Sequence, residues 1–73
     1  MQIFAERLKS LRESRRIYQR EMAEQLGLSF RGYQGYETNQ TEPKLATLIA
    51  IADYYNVSID YLVGRTDDPN INR

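Results

Sequence analysis

The stretch "QREMAEQLGLSFRGYQGYE", residues 19–37, narrows what this chain can fold into more than any other. Met22, Ala23 and Leu26 share one helical face, and Gly27 then stops that helix and invites a sharp turn. Ser29 stands where the next helix needs an N-cap, its hydroxyl able to accept from an N–H in the first turn. Tyr33, Tyr36 and Glu37 follow at i, i+3 and i+4, again one helical face. Two short helices joined by a few residues that include a glycine have the spacing of a helix-turn-helix. Gly32 and Gly35 interrupt the second of them, each at a cost of about 1 kcal/mol relative to alanine. The outward position read for Gly35, beside Arg31, would let the helix backbone come close to a surface it binds; equally, a marginal helix can simply tolerate the glycines because tertiary packing overrides propensity.

The rest of the chain supplies helices for the pair to pack on. Phe4, Leu8 and Leu11 recur at i, i+4 and i+7 and predict a helix over residues 3–15. The second helix of the pair should end near Thr38 and Asn39, and "TNQTEPK" is a turn by composition. "LATLIAIADYY" predicts a fourth helix, with Leu45, Leu48, Ile49 and Ala52 as its apolar stripe and Asn56 as its stop. Ser58 caps a short last helix, "IDYLV", which Gly64 ends. The expected fold is all-α: five short helices, with residues 1–66 as one domain and residues 67–73 as a polar tail or linker stub. A chain of this size buries only about 60% of its unfolded surface, so every helix must contribute to a single core.

Composition limits the chemistry. The chain holds no cysteine and no histidine, so disulfides, thiolate metal sites, nucleophilic cysteine and Ser–His chemistry lack their parts. No closely spaced carboxylate pair stands out in an apolar setting. The expectation is a protein that is not an enzyme, with no cofactor, no metal and no evident small-molecule ligand. The opening "MQIFAERLKSLRES" is charged and amphipathic, without the apolar run of a signal peptide or membrane span. That reads as a cytoplasmic chain without a membrane partner.

The net charge is zero, yet the charges are unevenly placed. Residues 1–31 carry seven basic side chains against four acidic, whereas residues 32–73 carry three against six. Such asymmetry fits a polyanion meeting one face, and equally fits two solvated faces that differ.

Three segments together, "QREMAEQLGLS", "YQGYETNQTEP" and "LIAIADYYNVSIDYLVGRTD", resemble the Cro and repressor type of helix-turn-helix. This is the xenobiotic-response-element-like, lambda-repressor-like family of bacterial and phage regulators, and the resemblance covers roughly residues 3–67. Gln19, Ala23 and Gly27 match its turn pattern, and Tyr36, Glu37 and Pro43 the pattern that closes its recognition helix. The resemblance implies a third helix lying in the major groove of duplex DNA, with Phe30, Arg31, Gln34 and Gly35 facing bases or nearby backbone. It implies phosphate or edge contacts from Gln19, and backbone contacts from Thr38, Asn39, Gln40 and Lys44. It also implies an internal ion pair between Arg12 and Glu37 and a dimer contact through Leu62 and Val63. Tyr18 departs from the usual Ser or Thr cap, Arg16 and Asn39 replace frequent glycines, and Gly32 and Gly35 replace bulkier residues.

On residue chemistry, Arg31 suits guanine O6 and N7, and Gln34 suits adenine N6 and N7. Phe30 can touch a thymine methyl or fold back on helix 2. Arg20 and Lys44 border the groove as phosphate ligands. The expected function is sequence-specific DNA binding as a phage- or prophage-type repressor, as a homodimer on a pseudo-palindromic operator. Two other readings share the fold: an antitoxin or controller protein, and an interaction module that has lost DNA binding.

Overall fold

The computed structural model describes residues 1–71, which form five helices: α1 (Gln2–Ser14), α2 (Gln19–Gln25), α3 (Phe30–Glu37), α4 (Leu45–Tyr55) and α5 (Ile59–Leu62). Their ends follow from local chemistry. Ser29 Oγ accepts from Gly32 N–H at 3.0 Å and Ser58 Oγ from Tyr61 N–H at 2.9 Å, so both serines cap as expected. Tyr18 opens α2 without a side-chain cap, and the Glu21 carboxylate accepts the Tyr18 N–H at 3.2 Å instead. Asn56 ends α4 in the left-handed region at φ 54°.

Arg16 (φ 56°) and Asn39 (φ 61°) also lie in that region. These are the two positions where a frequent glycine is replaced. Asparagine tolerates the conformation, while arginine is strained there by about 1–2 kcal/mol.

One core gathers side chains from all five helices, with Phe4, Leu8, Met22, Tyr33, Ile51, Tyr55 and Leu62 almost completely buried. The stripe on α4 is turned from the one expected. Leu48, Ile51, Ala52 and Tyr55 face inward, whereas Leu45 and Ile49 are exposed. Tyr55, at the C-terminal end of α4, is part of the inward face and donates its hydroxyl to Met22 Sδ at 3.1 Å.

Leu62 is fully buried in the core cluster and has no surface to offer a second copy, which corrects its expected place in a dimer contact. Val63, beside it, is half-buried.

The segment after α5 is folded back rather than hanging free. Arg7 on α1 donates to the carbonyls of Tyr61 and Thr66 (2.7 Å to Thr66) and to Asp67 Oδ1 at 2.8 Å, while its guanidinium lies 4.1 Å over the Tyr61 ring. Ser58 N–H donates to Pro69 O at 3.0 Å. The boundary drawn at residue 66 therefore falls inside a hydrogen-bonded strap. Asn72 and Arg73, the last residues of the expected tail, lie outside the described residues.

Gly35 corrects a further expectation. It is buried, and a Cβ built on it would lie 2.9 Å from Thr41 Oγ1. The chain after α3 turns back because Gln40 and Thr41 both donate their N–H groups to the Gly35 carbonyl, at 2.9 and 3.2 Å. The glycine thus makes room for the protein's own loop, not for a bound surface. We expect Gly35→Ala to gain little or nothing in the wild-type background. In a Thr41→Ala background the same change should gain up to about 1 kcal/mol, the ordinary helix preference for alanine. Urea midpoints of the four proteins check this, and equal effects in both backgrounds would show that Thr41 yields freely.

Candidate nucleic-acid interface

α2 and α3 are joined by a tight turn in which Gly27 (φ 67°) takes the conformation a side chain would resist. Leu28 N–H returns to Ala23 O at 2.9 Å, which closes the end of α2 against the turn. Met22, Ala23 and Tyr33 then bury the facing sides of the two helices.

The inner side of α3 is locked by a polar cluster around Glu37, whose side chain is only 2% exposed. Arg12 grips it with two prongs, Nε to Oε2 at 2.6 Å and Nη2 to Oε1 at 3.1 Å, a bidentate and charge-assisted arrangement. Gln19 Nε2 donates to Oε1 at 3.0 Å, and the Tyr33 hydroxyl donates to Oε2. The third prong of Arg12, Nη1, donates to Ile17 O at 2.8 Å and ties the loop before α2 to the same cluster. Burial alone would raise the carboxyl's pKa; the hydrogen bonds from Arg12, Tyr33 and Gln19 outweigh it and hold Glu37 below its ordinary range. Burial, with the carboxylate next to it, pushes the Tyr33 phenol far up, so it stays a donor.

On the outer side, Arg31 is exposed and Phe30 and Gln34 are half-exposed. Arg20 is exposed at the start of α2, and its guanidinium stacks 4.4 Å over the Phe30 ring, so Phe30 folds toward α2 with a cation on its face. Gln34 Nε2 donates to Gln19 Oε1 at 3.4 Å, which places both glutamines at one edge of the α2–α3 surface.

Thr38, Gln40 and Lys44 are exposed along the loop after α3, with Lys44 directly preceding α4. Asn39 is exposed too, but its amide is engaged with α1: Oδ1 accepts from the Met1 amino group at 2.8 Å and Nδ2 donates to Gln2 Oε1 at 3.1 Å. Gly35 lies on the buried side of α3 and is removed from the base-facing set, because the returning Thr41 loop covers it. Sequence reasoning missed two features here: the Arg20–Phe30 stack and the bonds from Gln19 to both Glu37 and Gln34. Only the residue types signalled them, since the partners come from different helices.

Two short helices at a glycine turn, with Arg20 and Arg31 exposed on the outer side and the inner side locked, define the helix-turn-helix class of DNA-binding domain. The chain belongs to the helix-turn-helix family HTH_3, whose model matches residues 8–62. It is 37% identical over 68 residues to the uncharacterized Bacillus subtilis HTH-type transcriptional regulator YobD, covering 93% of this chain and 61% of the relative. It is 41% identical over 64 residues to the SPbeta prophage-derived uncharacterized HTH-type transcriptional regulator YonR of the same organism, covering 88% and 59%. The CTXphi transcriptional repressor RstR of Vibrio cholerae is 38% identical over 60 residues, covering 82% and 54%. The chain thus spans little more than half the length of these curated relatives. The solution structure of the DNA-binding domain of the P22 c2 repressor superposes with a TM-score of 0.77 at 29% identity, covering 85% of this chain and 82% of that one. No helix among the described residues is long and apolar enough to cross a membrane.

Proposed function

We propose that this chain binds a specific duplex DNA sequence as a phage- or prophage-type transcriptional repressor, with α3 in the major groove and an operator as its target. The observation that carries this reading is the outer face of α3, where Arg31 and Gln34 project on a helix whose inner face Glu37 and Tyr33 hold fixed. A bidentate arginine–guanine contact discriminates by about 1–3 kcal/mol, so Arg31, exposed on a helix held from its inner side, is a natural reader. Arg20, Thr38, Gln40 and Lys44 flank the face as phosphate ligands, and Phe30 supports Arg20 from beneath. The names of YonR and RstR, a prophage-derived regulator and a phage repressor, support the repressor assignment.

One short recognition helix reads few base pairs, so the bound form is a homodimer on a pseudo-palindrome with half-site centres roughly 10 bp apart. Val63 remains a candidate for that contact.

Selection from a randomised duplex pool tests the reading and returns both the operator and its half-site spacing. Against that operator, Arg31→Ala should relax preference at one base pair per half-site. Lys44→Ala should weaken all sequences alike and lower the log–log salt slope by about one per protomer. A pool that yields no enriched sequence would overturn the proposal. An Arg31→Ala protein with every preference intact would take Arg31 out of the base-reading role.

A further inference from the structure

A glutamine amide offers a donor on one side and an acceptor on the other, and turning it over exchanges them. An adenine edge in the major groove accepts only one of these orientations, with the amide oxygen on N6–H and the amide N–H on N7. Something must therefore choose the orientation of Gln34.

The choice begins in the core. A carboxylate offers acceptors only, and Glu37 receives Arg12 Nε and the Tyr33 hydroxyl on one oxygen and Arg12 Nη2 and Gln19 Nε2 on the other. Gln19 can meet Glu37 only with its NH2, which turns its oxygen away from the core. That oxygen stands 3.4 Å from Gln34 Nε2, so Gln34 in turn meets it only with an NH2. Gln34 keeps its own oxygen and a second N–H, side by side, which are the two groups an adenine edge takes.

We infer that Gln19 is a positioning residue for base recognition: it relays the buried negative charge of Glu37 to Gln34 and fixes which way the Gln34 amide faces. The inference rests on the DNA-binding reading above. It gives Gln19 a role separate from any phosphate contact, because a phosphate contact affects every sequence equally and the relay affects one base pair.

The test takes the selected operator and finds the base pair that loses preference in Gln34→Ala. Gln19→Met, similar in size but unable to accept from Gln34, should lose preference at that same pair by roughly fivefold or more, within the range of a bidentate contact. Preference elsewhere should hold. In the free protein, the side-chain amide resonances of Gln34 should move in Gln19→Met. In the wild-type chain itself, the side-chain amide protons of Gln19 and Gln34 should exchange with water more slowly than those of the exposed Gln25 and Gln40.

Equal exchange at all four glutamines overturns the relay. So does a Gln19→Met protein that keeps full preference at the Gln34 base pair, or that loses affinity evenly over all sequences. A wild-type chain that enriches no sequence overturns the functional reading and the recognition role with it, and the exchange rates then report separately on the hydrogen bonds.

Discussion

Glu37→Ala should lower the stability of this domain by about 3–5 kcal/mol, enough to leave much of it unfolded at ambient temperature. The loss is large because of what remains, not only what is removed. Arg12, whose side chain is 11% exposed, would stay charged with no carboxylate beside it, and the Tyr33 hydroxyl and Gln19 amide would each lose an acceptor. Glu37→Gln keeps the volume, removes the charge and should fall in between.

Acid acts on the same group. The folded carboxyl titrates below its ordinary value of 4.5, because hydrogen bonds to it outweigh the opposing effect of burial. Its contribution is therefore complete above about pH 4.5 and is lost as pH falls through the lower folded value. Thermal midpoints measured across this range should drop on acidification, and drop less steeply in Glu37→Gln. A wild-type midpoint for Glu37→Ala would mean that the ion pair gives no net stability.

Leu62→Ala should cost about 2–5 kcal/mol in the isolated protomer, the ordinary range for emptying a fully buried leucine site. The loss should not depend on protein concentration, and denaturant unfolding at several concentrations reads this directly. A dimer-contact role would instead give a loss that shrinks as the protein is diluted. Val63→Ala, one residue on and half-buried, should cost distinctly less.

The helices were legible because their start and stop signals are local. Ser29, Ser58, Asn56 and Gly27 each act within a turn of themselves, and the structure places them in those roles. The inward faces of α1 and α2 followed from spacing for the same reason, with Phe4, Leu8, Met22 and Ala23 buried.

What was not legible depends on where the chain returns. On an eight-residue helix, spacing alone assigned Gly35 to the outside, and only the hydrogen bonds that bring Thr41 back over it reveal the covered side. Leu62 sits in a short apolar run that spacing cannot divide into core and surface, and packing against the other helices decides it. The α4 stripe was misread for a related reason: "LIAIA" is apolar almost all round, so periodicity carries little information there. Within the site, Arg31 and Gln34 were legible by residue type. The bonds that orient Gln34 were not, because they link α1, α2 and α3 through side chains far apart in sequence.

Arg7 has a practical meaning for anyone who shortens or extends this protein. Its guanidinium finds one acceptor within α5, at Tyr61 O, and two beyond it, at Thr66 O and Asp67 Oδ1, and the strap is held again where Ser58 meets Pro69. A version trimmed at Gly64 would keep every helix and still strip that cation of two of its three partners. A version that runs through Pro69 keeps all of these bonds, so a fusion joint, affinity handle or protease site placed beyond Pro69 leaves them intact.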